Sequence, residues 1–146
     1  DGLRPGTPNA IHHILFAKTL RLALGQDKKS IKLIKNYLIQ ELSQMDGFVI
    51  NSPMEGCSDY ILNISCLKVS SQIMLSWLNQ HKIYVSAMAT CLNRDAQLSH
   101  VLEAMGIEGN RLNGVIRISI GYTNTMEQAK TLISVLKEGV VKHGRD

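Results

Sequence analysis

Cysteine is scarce in this 146-residue chain, where Cys57, Cys66 and Cys91 are the whole complement. An odd number with no CxxC spacing argues against a disulfide framework or a zinc site and favours a reducing compartment, so a cytoplasmic protein is expected. Long apolar runs are missing too. Stretches such as Ile14-Leu15-Phe16-Ala17 fall far short of the roughly 18 residues that suggest a membrane span, and no membrane partner is expected. Neither sign of charge dominates, with 16 Lys and Arg against 12 Asp and Glu for a net +4. The one local cluster, Lys28, Lys29, Lys32 and Lys35, has no interleaved aromatics and no nucleic-acid motif. It reads as a solvated helix face, and no nucleic-acid partner is expected. His12, His13, His81, His100 and His143 show no metal spacing, since adjacent residues such as His12 and His13 project about 100° apart on a helix; all five are read as structural or solvated, and no metal is expected. The chain opens Asp1-Gly2-Leu3 without a basic n-region or an apolar h-region. No secretory signal is expected there, and the chain reads as an excised piece.

What is present is a globular composition, 45% hydrophobic and 19% charged, long enough to bury one core, so residues 1–146 are expected to form a single domain. Thr7-Pro8-Asn9 writes a helix start, with Ile11, Ile14, Leu15 and Leu22 roughly on one side and an end near Gly25. A second helix is predicted from Lys28 to Met45 on the spacing of Ile31, Ile34, Leu38, Leu42 and Met45, stopped by Asp46-Gly47. Phe48 to Ile50 and Tyr60 to Leu67 read as strands around a loop holding Pro53 and Gly56. Ser70 can cap a helix with Ile73, Met74, Trp77 and Leu78 inside. Ile83 to Ser86 reads as a third strand and Ala87 to Cys91 as a loop, followed by a helix with Leu98, Val101, Leu102 and Met105 on one face. In Val115 to Ile120 the isoleucines alternate with Val115, Arg117 and Ser119, which holds Arg117 on a rigid strand. A last helix starts at Asn124 or Thr125, with Glu127 or Gln128 as capping-box partner. The order ααββαβαβα predicts an α+β fold, a small mostly antiparallel sheet covered by helices.

Three places could carry chemistry. Cys91 sits in the loop before a helix, and Arg94 with that helix N-terminus could lower its thiol pKa from about 8.5; a small buried hydrophobe is the other reading. Arg117 could hold a carboxylate bidentately, or sit in a surface salt bridge. Gly6-Thr7 at a helix start could bind an anion or simply serve as a cap.

Five collinear blocks go further: Arg4-Pro5-Gly6-Thr7-Pro8-Asn9, Tyr60-Ile61-Leu62-Asn63-Ile64-Ser65, Val85-Ser86-Ala87-Met88-Ala89-Thr90-Cys91, Ser99-His100-Val101-Leu102-Glu103-Ala104-Met105-Gly106, and Val115-Ile116-Arg117-Ile118-Ser119-Ile120-Gly121 with Asn124-Thr125. In order and spacing they resemble the C-terminal part of cysteine desulfurases, class V aminotransferases among the fold-type I pyridoxal phosphate enzymes. The resemblance implies that Cys91 is the nucleophile that takes sulfur from substrate cysteine as a persulfide, and that Arg117 pairs with the substrate α-carboxylate. It implies that Gly6 and Thr7 reach the cofactor phosphate of a neighbouring subunit in a homodimer. A sulfur-acceptor protein is a further implied partner. The family's Schiff-base lysine, pyridine-pairing aspartate and ring-stacking histidine belong to a large domain absent from this chain, so the chain alone is expected to be inactive. Ala87-Met88-Ala89-Thr90 stand where the family usually has Ser-Gly-Ser-Ala, which leaves a diverged class V aminotransferase or lyase as an alternative, beside a non-catalytic α+β interaction module.

Overall fold

The computed structural model describes residues 9–53, 55–87 and 100–144, with His100 described in its backbone only. Among the described residues ten elements follow in chain order: α1 (Ala10–Leu24), α2 (Lys29–Ser43), β1 (Phe48–Ile50), β2 (Ile61–Cys66), α3 (Ser71–Gln80), β3 (Ser86–Ala87), α4 (His100–Ala104), α5 (Asn110–Asn113), β4 (Val115–Ser119) and α6 (Met126–His143). The strands form one antiparallel sheet in the order β1-β2-β4-β3. This is the α+β architecture that the element pattern predicts.

Because side chains alternate along a strand, the register divides the sheet into two unlike faces. Leu62, Ile64 and Cys66 of β2 meet Ile116 and Ile118 of β4 on the core face. Helix α2 closes that face with Ile31, Ile34, Leu38 and Leu42, the stripe its spacing predicts, and α6 adds Ala129, Leu132, Ile133 and Leu136. Met45 falls beyond the helix, capped at Gln44, and is half-buried. Helices α3 and α6 meet at Gly139, where an added Cβ would lie 2.7 Å from Trp77 Cδ1 and 2.9 Å from Met74 Sδ. The Trp77 indole Nε1 donates to the Val135 carbonyl at 2.9 Å, so its polar atom is satisfied inside the core. On the other face a small cluster of Leu102, Ile107 and Val115, with Met105 and Leu112 against it, covers only the Val115 end.

Several local expectations shift. Helix α1 is capped by Asn9, whose Oδ1 accepts from His12 N at 3.1 Å, so the cap is not Thr7; Asn is among the strongest N-cap residues and answers an amide that would otherwise lack a partner. None of its residues is buried, and Ile11, Ile14 and Phe16 are each about 70% exposed. Ile73 of α3 and Val101 of α4 point outward, leaving Met74, Trp77 and Leu78, and Leu102, as the buried contacts. Leu98 lies outside the described residues. Strand β3 begins later than predicted, at Ser86, and α5 is an added single turn too short to show a period. Capping of α6 is resolved to Thr125 with Gln128, each accepting from the other's backbone amide.

Candidate functional site

The face of the sheet away from the core carries the candidate site. Arg117 projects there in step with Val115 and Ser119, as the alternation predicts, and its register partners are Asn63 on β2 and Ser86 on β3. It is exposed. The ion pairs among the described residues are Lys68 with Asp46 and Lys137 with Glu41, so no described carboxylate occupies the Arg117 guanidinium. A surface salt bridge, the bland reading of a strand arginine, has no partner among them.

Beside Arg117 lies a hydrogen-bonded group that the sequence reading treats only as strand and loop. The Asn51 amide Nδ2 donates to Asn63 Oδ1 and to Ser65 Oγ, both at 2.8 Å. Asn51 Oδ1 accepts in turn from Arg111 Nη2 on α5 at 2.5 Å. Ser52 Oγ accepts from the Asn63 backbone amide at 2.8 Å. Asn63 and Ser65 are 5% and 0% exposed, so this is a buried polar bracket on the same face of the sheet, beside Arg117. Arg111 Nε is buried without a hydrogen-bond partner among the described residues. Period-2 alternation could have placed Asn63 and Ser65 on the Arg117 face; no local signal marks Asn51 or Arg111. Near the far end of the sheet the hydroxyls of Tyr60 and Tyr122 meet at 2.5 Å, and that bond, which the neutral phenol can donate, holds the Tyr122 hydroxyl above its ordinary pKa.

The cysteines separate clearly. Cys66 ends β2 at 1% exposure, and burial pushes its thiol up, outweighing the backbone hydrogen bonds from Lys68 and Val69 that oppose the shift. It is packed as a core residue, and its environment disfavours the thiolate. Cys57 is half-buried and accepts from Lys35 Nζ at 3.0 Å. That contact corrects the reading of Lys35 as part of a solvated face, because Lys35 is only 4% exposed while Lys28, Lys29 and Lys32 are exposed. Positions 31, 34, 35 and 38 share one side of α2, so the Lys35 stem lies along the apolar stripe while its amine reaches out to a loop. Cys91, Gly6 and Thr7 lie outside the described residues. His81 and His143 pack on Trp77 with ring centroids 4.3 and 5.4 Å away, and His12 and His13 are exposed on α1.

Chemically, exposed Arg117 supplies a cationic fork suited to an anion such as a carboxylate, while Asn51, Asn63, Ser65 and Arg111 are bonded to one another and brace the strand next to it. The same set holds no amine to bond an aldehyde and no acid to meet a pyridine nitrogen, so by itself it does not fit pyridoxal phosphate. A separate groove of about 420 Å³, bounded by Ile34, Leu38, Tyr84, Ile118, Asn124 and Gln128, opens against core-face residues and shares no residue with the bracket.

Residues 2–132 match the family described as aminotransferase class-V. The chain is 28% identical over 145 residues to a NifS/IcsS protein homolog of Lactobacillus delbrueckii subsp. bulgaricus, covering 94% of this chain and 37% of that protein. It is 29% identical over 147 residues to a mitochondrial cysteine desulfurase of Arabidopsis thaliana, covering 97% of this chain and 32% of the relative. A solved NifS-like protein superposes with a TM-score of 0.79 at 26% identity, over 96% of this chain and 36% of that one. The chain thus spans about a third of the length of the proteins it matches. With a match across most of its length and the same fold in a solved relative, the chain belongs to the class-V aminotransferase family.

Proposed function

We propose that this chain is the C-terminal small domain of a cysteine desulfurase-like enzyme that converts cysteine to alanine and leaves sulfur on Cys91 as a persulfide. The family works with pyridoxal phosphate, which when bound withdraws electrons from the amino-acid substrate. In this reading the cofactor is held mainly by a large domain outside the chain, while Gly6 and Thr7 reach the phosphate of a neighbouring subunit. Arg117 binds and orients the substrate α-carboxylate. Cys91 is the sulfur-accepting thiolate, and a sulfur-acceptor protein then relieves it of the persulfide. The carrying observation is Arg117, displayed on a strand with no described counter-ion, in a chain whose family match runs through it.

Helix α1 adds support. Apolar residues point outward around it, Ile11, Ile14, Leu15, Phe16, Leu22 and Leu24 all being more than half exposed. A helix of that character is normally buried against more protein. A chain that works only as part of a larger enzyme, and is inactive alone, accounts for it.

The test uses the full-length protein. Arg117→Lys keeps the charge but loses the planar fork, and breaking such a pair should lower kcat/KM by roughly 2 to 4 kcal/mol, on the order of 30- to 1000-fold. Cys91→Ser should stop alanine formation while leaving the cofactor absorbance intact, because serine is not a competent sulfur nucleophile near neutral pH. Unchanged efficiency in Arg117→Lys, or alanine made at the parent rate by Cys91→Ser, overturns the corresponding assignment.

A further inference from the structure

Lys35 is a lysine almost wholly out of water, 4% exposed on the apolar side of α2. Its Nζ donates to the Ser58 carbonyl at 2.7 Å and to Cys57 Sγ at 3.0 Å, and the Cys57 thiol donates to the Pro53 carbonyl at 3.0 Å. Among the described residues no carboxylate pairs with it. If the amine served only to anchor the loop, the Ser58 carbonyl would do so, and a thiol sulfur is a poor second acceptor. What the thiol adds is chemistry: a nucleophilic sulfur that solvent can reach, held against an amine shielded from it.

We propose that Lys35 and Cys57 form an oxidant-triggered modification site, in which the lysine amine captures oxidised Cys57 as a reversible sulfenamide. A peroxide is the oxidant. In the first step Cys57 thiol plus hydrogen peroxide gives the sulfenic acid plus water: sulfur loses two electrons and the peroxide O–O bond breaks. In the second, the Lys35 ammonium gives one proton to water, the freed nitrogen lone pair attacks that sulfur, the N–S bond forms, the S–O bond breaks, and the hydroxyl leaves with a second amine proton as water. Two thiol equivalents reverse it, the first forming a mixed disulfide and freeing the amine, the second restoring the Cys57 thiol. Capture keeps Cys57 from the irreversible sulfinic state and ties the loop between β1 and β2 to α2. Neither residue belongs to the reading built on Arg117 and Cys91, so the two stand or fall separately.

The full-length protein, treated with hydrogen peroxide, alkylated and digested, is read by mass spectrometry. The expected result is a joined peptide pair containing Lys35 and Cys57, two hydrogens lighter than the sum of its parts and lost on treatment with dithiothreitol. Lys35→Arg keeps the cation and the donor but not the nucleophile; it should abolish the joined pair and raise the yield of Cys57 sulfinic acid. If that variant fails to fold, the wild-type digest decides. Wild-type Cys57 recovered only as sulfinic acid, only as a disulfide with Cys66 or Cys91, or unreacted overturns the proposal, as does a folded Lys35→Arg protein that oxidises like the wild type.

Discussion

Asn51→Ala strikes the bracket beside Arg117, and its cost follows from what it leaves behind. The wild-type amide donates to two acceptors at 2.8 Å, in residues that are 5% and 0% exposed, and its oxygen accepts from Arg111. Alanine removes the hydrogen bonds to Asn63 Oδ1 and Ser65 Oγ in buried positions, where each bond contributes about 0.5 to 1.5 kcal/mol. Ser65 loses less, because its hydroxyl can rotate and donate instead, and half-buried Arg111 can turn to water. The expected loss is therefore about 1 to 3 kcal/mol, above the ±0.5 kcal/mol of an ordinary surface change. The chain's single tryptophan, Trp77, is 9% exposed and reports unfolding in urea by fluorescence. The midpoint should fall at unchanged m, while Asn36→Ala on the exposed side of α2 raises it slightly through helix propensity. A loss below about 0.5 kcal/mol in Asn51→Ala would mean that water takes over the bracket and that it does not stiffen the ladder.

Gly139→Ala should destabilise despite the helix propensity it adds, by up to about 2 kcal/mol net of a gain near 1, because its Cβ would press on the Trp77 ring; a raised urea midpoint would show that the α3–α6 contact has slack. Phe16→Ser on α1 should change the stability of the isolated chain by no more than about 0.5 kcal/mol, since nothing on that helix is buried, while reducing self-association in light scattering; a large loss of stability would place α1 in the fold's own core. Asp46 is held below its ordinary value of 3.8 by its hydrogen bond to Lys68, then by that residue's charge. A depressed carboxylate contributes stability that is present above 3.8 and lost as pH falls through the folded value, so Lys68→Met should return the Asp46 titration, followed by NMR, toward 3.8 and remove that acid-side contribution.

What could be read from the sequence was whatever local periodicity controls. The α2 stripe, the Ser70 and Thr125 caps and the outward aim of Arg117 each depend on residues within one or two turns or strand steps, and each appears in the fold. Lys35 escapes the same logic only because a lysine within a basic cluster reads as solvated: its place on the stripe is legible, but the loop acceptors that make burial tolerable lie 22 and 23 residues away. Helix α1 forms where its start and stop residues predict, yet its apolar side stays uncovered. Periodicity can show that a helix is apolar, but not whether anything in the same chain covers it.

The surroundings of Arg117 mark where local reading ends. Alternation along β4 sets the direction of its side chain wherever that strand is placed. Which residues stand next to it depends on strand order, and here β4 lies between β2 and β3, so Asn63 and Ser86 flank it from opposite sides although they are 54 and 31 residues distant in sequence. The bracket then reaches Arg111 through Asn51, across separations of 12 and 60 residues. A strand can be moved within a sheet without altering its own pattern, so no pattern within β4 could have revealed those neighbours. The same separation explains how the site divides its work: the strand aims the guanidinium, and distant polar side chains decide how firmly the ladder beneath it is held.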